Sequence, residues 1–426
     1  MIYLGLGSNL GDRKSSLETA IEKLITRGFV VYRVSPMIET PAMLMDNARP
    51  EWNKPYLNCV VSGQASWTPR EGLGIVKEIE RQLGREPAER WSPRPVDIDL
   101  LVWNDEIVDE EDLRIPHSGI CQRSFVLTPL LHLQPDLIIP GQSDSVFHLS
   151  QSIKPVPLWM GILNITPDSF SDGGKWNDQS LLAGQIDSFV ENNVQIIDLG
   201  AESTRPNAVP VSPQEEWRRL ESVIKMVQER TAGKVLKSAI SVDSRNRQTL
   251  EKAIACGIDI INDVTGLSDP DVLALARDSE CDVVAMHSVT IPVDPSAKLP
   301  TDESAVAQIE RWISTKMEAW QAAGMDLNRV IIDPGIGFGT NPMQSQELLG
   351  NCRALRAHGL RLLIGHSRKS FMSSFSEHAF ADRDPETLAI SMSVCHQGVD
   401  IIRVHDPVTH VRAYRAWSHI EQGREA

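Results

Sequence analysis

Apolar and polar residues in the second part of the chain repeat as one unit, in which a helical pattern ends at a glycine and a short apolar strand follows. Four such helix ends are marked by Gly257, Gly324, Gly359 and Gly398. Glycine just past a helix readily takes the left-handed conformation that stops it. A further helix begins at a capping box in residues 212–215, and its apolar positions up to 227 have 3.6-residue spacing. This part of the chain therefore alternates helices with strands.

The predicted strands end at a polar or glycine residue in each case. These ends are Asn164, Gly200, Asp243, Asn262, His287, Asp333, Gly365 and His405. Eight strands alternating with helices over residues 158–426 predict a (β/α)8 TIM barrel, and an open doubly wound sheet is the structural alternative. In a barrel all eight strand ends meet on one face, so their polar side chains would lie together.

The first part of the chain has a different pattern of short strands and helices. Strands are predicted near residues 2–6, 30–34, 57–62 and 97–103, with helices near 14–26 and 69–83. This pattern predicts a ferredoxin-like α+β sandwich. Residues 40–55 form a long loop of the kind that usually has a function, and the KPVP run at 154–157 is a short linker. We therefore expect two domains, at residues 1–153 and 158–426.

Composition narrows the classes of function. The net charge of -15 argues against a nucleic-acid partner, and no apolar run is long enough to span a membrane. The chain begins without the features of a signal or transit peptide. The six cysteines are scattered with no CxxC pair, which is typical of reduced thiols rather than disulfides or a zinc site. A cytoplasmic protein is expected, and local cations or a metal would have to hold any anionic substrate.

Two aspartates stand out in the predicted strand at 97–103. Asp97 and Asp99 alternate with Val96, Ile98 and Leu100, so both carboxylates point to one side of the strand while the apolar residues face the core. Adjacent carboxylates repel each other unless a cation lies between them, and Mg²⁺ with a nucleotide polyphosphate is a suitable occupant. Without further support, such a pair is more often part of a solvated edge strand.

Basic residues surround this pair in the sequence and change that interpretation. They are Arg85, Arg90, Arg94, His117 and Arg123. Carboxylates accompanied by guanidiniums suit the binding of phosphate groups with a metal. The runs ERWSPRPVDIDLL and IPHSGICQRSFVLTPL, together with GLGSNLG, ETPA and YLN, closely resemble 6-hydroxymethyl-7,8-dihydropterin pyrophosphokinase over about residues 1–150. The spacing of GLGSNLG does not fit a dinucleotide fingerprint, and the chain has no P-loop motif.

This resemblance implies roles for individual residues. Asp97 and Asp99 would bind Mg²⁺ and, with Arg94, would be catalytic. ATP would contact Arg85, Arg90, Arg94, Ile98, His117 and Arg123. The pterin pocket would consist of Thr40, Pro41, Tyr56, Asn58 and Phe125. Flat aromatic rings suit a flat bicyclic ligand.

Polar residues at the barrel strand ends suggest a second site. The amide and carboxylate groups there could hydrogen-bond the edge of a heterocycle such as pterin, and a lysine lies just beyond one strand. These residues are Asp243, Asn262, Asp333 and Lys369. Any one of them would more often be a strand-end hydrogen bond. Arg403 and His405 belong to the last strand, and Asn164 of the first strand is adjacent once the barrel closes. Since barrels often bind phosphate near their final strands, these three could hold pyrophosphate and its Mg²⁺.

The barrel sequence also resembles a known family. The runs GILNITPDSFSDGG, DLGAESTRP, SVDS, IIND, DPGIGFG, SRKS and RVHDP resemble dihydropteroate synthase over about residues 158–420. The resemblance implies that pterin pyrophosphate contacts Thr204, Asp243, Asn262, Met286, Asp333, Lys369, Arg403 and His405. It implies that p-aminobenzoate contacts Phe170, Thr204, Arg205, Pro206, Phe338 and Ser370. Asn164 would help to hold metal, and the catalytic residues would be Asn164, Arg205, Lys369, Arg403 and His405.

Together the two resemblances imply a bifunctional enzyme of folate synthesis. It would transfer pyrophosphate from ATP to 6-hydroxymethyl-7,8-dihydropterin and then condense the product with p-aminobenzoate. Mg²⁺ is the expected cofactor, and a homodimer through the barrel is expected by analogy. One alternative is a pterin-dependent methyltransferase-like barrel fused to a kinase, which has no reason to carry SRKS or ESTRP. The other is a non-catalytic pterin-binding protein, against which the intact charged residues argue.

Overall fold

The computed structural model describes residues 1–44, 48–86, 89, 91–165, 179–202 and 211–425. The chain divides into two compact units. The first unit comprises Met1–Val156, Gly233–Lys237 and Tyr414–Ala426, and the second comprises Pro157–Ala232 and Ser238–Ala413. The domain bounds given above stay a prediction. Among the described residues, no helix combines the length and the apolar composition that crossing a membrane requires.

The first unit is built on an antiparallel sheet. Its strands are β1 (Ile2–Ser8), β2 (Val30–Val34), β3 (Ile38–Thr40), β4 (Tyr56–Gln64), β5 (Asp97–Trp103), β6 (Val108–Asp109) and β7 (Arg114–Ile115). Its helices are α1 (Arg13–Thr26), α2 (Pro69–Gln82), α3 (Ser124–Leu133) and α4 (Val146–Ser150). The sheet order is β2-β4-β1-β5, with β3 also paired to β4. With α1 and α2 between the strands, this is the βαββαβ arrangement of a ferredoxin-like fold, as predicted.

Helices cover both faces of this sheet. Leu17 and Ile21 of α1 belong to a core on one face, and Leu127 of α3 belongs to the core on the other. Because both faces are covered, β5 is buried continuously from Leu100 to Trp103. The beginning of β5 keeps the predicted alternation, with partly exposed carboxylates on either side of a buried isoleucine. Polar chemistry on this strand is therefore concentrated at its first residues.

The start of α2 is fixed by local hydrogen bonds. Thr68 accepts from the Glu71 main-chain N–H, and the Glu71 carboxylate accepts from the main-chain N–H of Thr68, with Pro69 at the first helical position. This is a reciprocal capping box. The helix ends at Gln82, and Gly84 then takes a left-handed conformation. These boundaries place the last two turns of α2 beside the beginning of β5.

The second unit is a closed parallel barrel. Its strands are β8 (Leu158–Asn164), β9 (Ile196–Gly200), β10 (Ala239–Asp243), β11 (Ile260–Asp263), β12 (Asp282–Met286), β13 (Val330–Asp333), β14 (Arg361–Ile364) and β15 (Ile401–Val404). Its helices are α5 (Gln179–Glu191), α6 (Pro213–Thr231), α7 (Arg247–Ala255), α8 (Pro270–Asp278), α9 (Ala305–Ala322), α10 (Pro342–Gly350), α11 (Cys352–Arg356), α12 (Asp384–His396) and, up to Ala413, the first part of α13 (Pro407–Glu425). Strand β15 pairs with β8 and closes the sheet, so the TIM barrel is confirmed and the open sheet is excluded.

The predicted strand ends agree with the structure to within one residue. Four coincide, at Asn164, Gly200, Asp243 and Asp333. The other four differ by a single position. Parallel strands of one barrel end on the same face, which brings these residues together.

Glycine is required where the loop after β13 passes the end of β12. Gly335 has a φ of +70°, and a Cβ atom there would lie 1.8 Å from the main-chain oxygen of His287. The N–H of Gly335 donates to Oδ1 of Asp333 at 2.8 Å. The loop that needs glycine here therefore also orients the carboxylate of Asp333 at the end of β13.

We expect Gly335→Ala to lower the melting temperature of the full chain more than Gly359→Ala does. Gly359 also has a left-handed φ, of +92°, but a Cβ there would meet no atom within 4 Å. Its substitution therefore costs only backbone strain, about 1–2 kcal/mol. At Gly335 the contact with His287 adds roughly 1–3 kcal/mol of overpacking. Calorimetry of both variants measures the difference, and equal shifts would contradict a steric role for this contact.

Candidate active sites

A cavity of about 360 Å³ lies beside the beginning of β5 in the first unit. Predicted site residues form much of its wall: Thr40, Pro41, Tyr56, Asn58, Arg85, Arg94, Asp97, Asp99, His117, Arg123 and Phe125. The side chain of Ile98 packs in the core instead of lining this cavity. Arg90 lies outside the described residues. The cavity thus gathers carboxylates, cations and aromatic rings from well-separated parts of the sequence.

Asp97 is held between two guanidiniums. Nη1 of Arg85 lies 2.6 Å from its Oδ1, and Nη1 of Arg94 lies 3.3 Å from its Oδ2. Burial alone would raise the pKa of Asp97, but the charges of Arg94 and Arg85 outweigh burial and lower the pKa. The side chain of Asp97 is therefore ionised near neutral pH.

Asp99 differs from its neighbour. Burial, and then the charge of Asp97, raises the pKa of Asp99 to about 6. A divalent cation would relieve this repulsion, and the two carboxylate groups are the oxygen donors that Mg²⁺ prefers. Among the described residues, no cluster of three or more His, Cys, Asp or Glu could hold a metal. An ion at Asp97 and Asp99 would therefore complete its shell with water or phosphate oxygens.

His117 faces the second aspartate. Its Nε2 lies 4.0 Å from Oδ1 of Asp99, and its Nδ1 accepts from the main-chain N–H of Gly119 at 3.1 Å. In a neutral ring the proton then lies on Nε2, on the side of Asp99. Burial, and next the charge of Arg123, lowers the pKa of His117, so the ring is neutral near pH 7. His117 can therefore donate a hydrogen bond in this cavity.

The far wall of the cavity has the features of an aromatic pocket. Asn58 donates to the hydroxyl of Thr40 at 2.9 Å, and both side chains are buried. The guanidinium carbon of Arg123 lies 5.6 Å from the centre of the Phe125 ring. Met43 also lines the cavity, and it belongs to the long loop that the sequence marks as functional. Amide and hydroxyl groups beside flat rings can bind a flat, polar-edged bicycle.

Two charged residues of this site were missed from the sequence. Glu80 of α2 is 1% exposed, and its Oε1 accepts from the Ile98 main-chain N–H at 2.8 Å and lies 2.6 Å from Nη1 of Arg85. Lys77, one turn earlier, lies 2.9 Å from Oε2 of Glu80 and also lines the cavity. Lysine and glutamate three residues apart usually form a solvated pair on a helix surface, so the spacing alone marks no site.

In the barrel, four residues lie in one row across adjacent strands. The register pairs Asn164 with Gly200, Gly200 with Asp243, and Asp243 with Asn262. A Cβ at Gly200 would lie 3.5 Å from Oδ1 of Asn164 and 3.7 Å from Cβ of Asp243. The missing side chain at Gly200 leaves space between the polar groups of the flanking strands. Three of the predicted site residues are thus brought to one end of the barrel.

Asp198 of β9 lies beneath this row and was not predicted as a site residue. Its carboxylate is fully buried and accepts from the hydroxyl of Ser241 at 2.6 Å and from Nε of Arg403 at 2.7 Å. Nδ2 of Asn262 lies 3.3 Å from both of its oxygens. The available signal is a lone aspartate in the apolar run IIDLG, because a charge within a strand buried on both faces requires partners.

Arg403 links this buried carboxylate to the strand-end row. Its Nη2 lies 2.5 Å from Oδ2 of Asp198 and 2.8 Å from Oδ2 of Asp243. Burial alone would lower the pKa of Arg403, but the two carboxylates outweigh burial and raise the pKa. Burial raises the pKa of Asp243 to about 7, and the charge of Asp198 acts in the same direction. Arg403 is therefore a permanent cation at the barrel face.

Lys369 lies against the loop that follows β13. Its Nζ lies 2.5 Å from the main-chain oxygen of Ile336 and 4.3 Å from the centre of the Phe338 ring. Gly337 permits this approach, since a Cβ there would lie 3.1 Å from Cδ of Lys369. Burial lowers the pKa of Lys369 to about 8, although the Asp333 carboxylate opposes the shift. The glycine-rich loop therefore encloses a lysine whose charge is easily lost.

The remaining predicted barrel residues occupy different positions. Nδ1 of His405 lies 2.9 Å from the hydroxyl of Ser367, which also accepts from the His405 main-chain N–H at 3.3 Å. Met286 is buried and pairs in register with Asp333, while Ser370 is exposed. Four predicted residues lie outside the described part of the chain: Phe170, Thr204, Arg205 and Pro206.

Comparisons with known proteins agree with both family resemblances. A family model described as 7,8-dihydro-6-hydroxymethylpterin-pyrophosphokinase matches residues 3–135, and one described as pterin binding enzyme matches residues 160–405. The folate synthesis bifunctional protein of Chlamydia caviae is 34% identical over 441 residues, which cover 98% of this chain and 98% of that protein.

Solved structures resemble the barrel. A dihydropteroate synthase of Yersinia pestis, solved with a sulfonamide drug, has a TM-score of 0.56 and 34% identity, covering 63% of this chain and 95% of its own. The synthase of Xanthomonas albilineans, solved with 4-aminobenzoic acid, has a TM-score of 0.55 and 32% identity, covering 62% of this chain and 93% of its own. These matches favour a synthase over a methyltransferase-like barrel. The chain belongs to the bifunctional folate synthesis family, and it combines hydroxymethyldihydropterin pyrophosphokinase with dihydropteroate synthase.

Proposed function

We propose that the cavity beside β5 is the pyrophosphokinase active site and that it works with Mg²⁺. The observation that carries this proposal is the pairing of two carboxylates of unequal pKa within a ring of basic side chains. Asp97 and Asp99 would hold the ion, which when bound would neutralise phosphate charge. Arg85, Arg94 and Arg123 would contact the phosphate chain of ATP, because guanidiniums bind phosphate oxygens in pairs.

The reaction at this site is a substitution at the β-phosphorus of ATP. The hydroxymethyl oxygen of the pterin forms a new bond to the β-phosphorus. The bond from the β-phosphorus to the oxygen that bridges it to the α-phosphorus breaks, and AMP leaves with the electron pair. The pterin hydroxyl loses its proton. Such transfers depend mainly on positioning and charge neutralisation. Thr40 and Asn58 would orient the pterin edge, with Pro41 beside them, while Tyr56 and Phe125 contact its faces.

We further propose that the barrel row binds dihydropterin pyrophosphate. The supporting observation is that Asn262 and Arg403 both donate to the buried carboxylate of Asp198. Arg403 also donates to Asp243 at the strand end. Asp243, Asn262, Asp333 and Lys369 would bind the pterin ring, and Met286 would line its slot. The pyrophosphate, with Mg²⁺, would be held by Asn164, Arg403 and His405, and Thr204 stays a predicted contact. Fixed cations at a leaving group stabilise the charge that develops there.

The synthase step is a substitution at the pterin methylene carbon. The bond from the pterin methylene to oxygen breaks, and pyrophosphate leaves with the electron pair towards Arg403 and His405. The amine nitrogen of p-aminobenzoate donates its lone pair to the methylene and loses a proton. Phe338 and Ser370 would frame that amine, and Phe170, Arg205 and Pro206 stay predicted contacts. Lys369 lies beside Phe338 and would therefore contact both the pterin pyrophosphate and p-aminobenzoate.

Location and assembly are also proposals. A reducing compartment such as the cytoplasm is supported by the cysteines, all of which carry free thiols. Dimerisation through the barrel stays a prediction.

The two activities should separate by mutation. Asp97→Asn removes one carboxylate charge from the proposed metal pair, so the pyrophosphokinase rate should fall by about 10²-fold or more. The exposed Asp109, whose side chain is 79% accessible, provides the matched control Asp109→Asn, which should leave that rate unchanged. Both variants should convert preformed dihydropterin pyrophosphate at the wild-type rate. Loss of this second step in Asp97→Asn would contradict independent sites.

The synthase step should lose activity at alkaline pH. The pKa of Lys369 is lowered to about 8, so the side chain is a cation below that pH and becomes neutral above it. Because kcat/KM reports ionisation of the free enzyme, it should fall about tenfold for each pH unit above that point. Lys369→Arg, whose charge persists, should not show this fall. A wild-type kcat/KM that stays flat to pH 10 would remove the lysine ammonium from the mechanism.

A further inference from the structure

We propose that Lys77 is a phosphate-binding residue of the pyrophosphokinase site, where it supplies a cation to the triphosphate of ATP. This inference rests on the proposed function of the cavity beside β5. Lys77 belongs to helix α2, a segment that contributes none of the ATP contacts implied by the sequence.

The position of Lys77 is the first argument. Its side chain lines the same cavity as Arg85, Arg94, Asp97 and Asp99. It is 46% exposed, so its ammonium group can be reached by a ligand in that cavity. The side chain is nonetheless directed, because Nζ lies 2.9 Å and 3.0 Å from the two oxygens of Glu80. An ammonium held in this way loses less conformational freedom when a phosphate arrives.

The second argument is the chain of ion pairs that joins Lys77 to Asp97. Glu80 links the two, because its Oε2 lies 2.9 Å from Nζ of Lys77 and its Oε1 lies 2.6 Å from Nη1 of Arg85. The same Nη1 lies 2.6 Å from Oδ1 of Asp97. Lys77 is therefore part of the charged network around the proposed metal pair, where the phosphate chain must pass.

The third argument is the charge balance of the cavity. Glu80 is buried and shares Arg85 with Asp97, so a third carboxyl group lies next to the two aspartates that line the cavity. Arg85 is shared between Glu80 and Asp97, at 2.6 Å from each. Lys77 contacts Glu80 from the exposed side and leaves Arg85 to bridge the two acids. Without Lys77, the remaining cations would have to offset Glu80 as well as hold phosphate.

Lys77→Gln in the full chain tests this role, because glutamine can still hydrogen-bond Glu80 but carries no charge. We expect the KM for ATP with Mg²⁺ to rise about tenfold or more, the scale of one charge-assisted hydrogen bond. The KM for hydroxymethyldihydropterin should change less than twofold, and Lys77→Arg should recover most of the ATP affinity. Calorimetry should show weaker binding of α,β-methylene-ATP with Mg²⁺ and unchanged binding of adenosine.

Arg81→Gln is the matched control. Arg81 lies one turn later on α2, is 70% exposed, pairs with Glu78 and does not line the cavity. Its substitution should leave every one of these constants unchanged. If Lys77→Gln behaves like Arg81→Gln, or weakens adenosine as much as α,β-methylene-ATP, the role in phosphate binding is wrong. Asp97→Asn, assayed alongside, distinguishes failure of the Lys77 role from failure of the proposed active site. Retained pyrophosphokinase activity in Asp97→Asn would overturn the proposed site itself.

Discussion

The buried carboxylate of Asp198 forms the interactions on which the proposed synthase site depends. It has no solvent access, so it needs partners, and it finds them in Arg403, Ser241 and Asn262. These partners come from three strands, and two of them are proposed ligand-binding residues. A charge in such a position is costly unless it is fully paired, which restricts the side chains to one arrangement. The barrel thus holds its cation in place before any substrate arrives.

The pyrophosphokinase site follows the same plan with different elements. Glu80, also buried, holds Arg85 and accepts from the main-chain N–H of Ile98, which lies between Asp97 and Asp99, the proposed metal ligands. A helix carries the buried acid here, whereas a barrel strand carries it in the synthase site. In both sites a buried carboxylate orients side chains that are proposed to bind substrate. Preorganised charge of this kind is a large contribution to transfer reactions in which charge moves between oxygens.

Much of this structure could be predicted from the sequence because its signals are local. Glycine stops, strand periodicity and the alternation of Asp97 with Ile98 depend on neighbours along the chain, and they predicted both folds and the polar strand ends. Asp198 and Glu80 were missed because their roles depend on partners that only the fold brings near, such as Arg403, 205 residues away from Asp198. Ile98, named as an ATP contact by resemblance, has its side chain in the core.

The rates of both steps in Asp198→Asn, measured on one preparation of the full chain, test this account most directly. Asparagine preserves the shape of the side chain but leaves Arg403 without its buried counter-charge. Ser241→Ala is the control, because it removes one hydrogen bond to Asp198 and no charge. We expect the synthase kcat/KM of Asp198→Asn to fall by about 10²-fold or more, with a smaller loss in the control and an unchanged pyrophosphokinase step. A synthase step that survives Asp198→Asn would contradict the account.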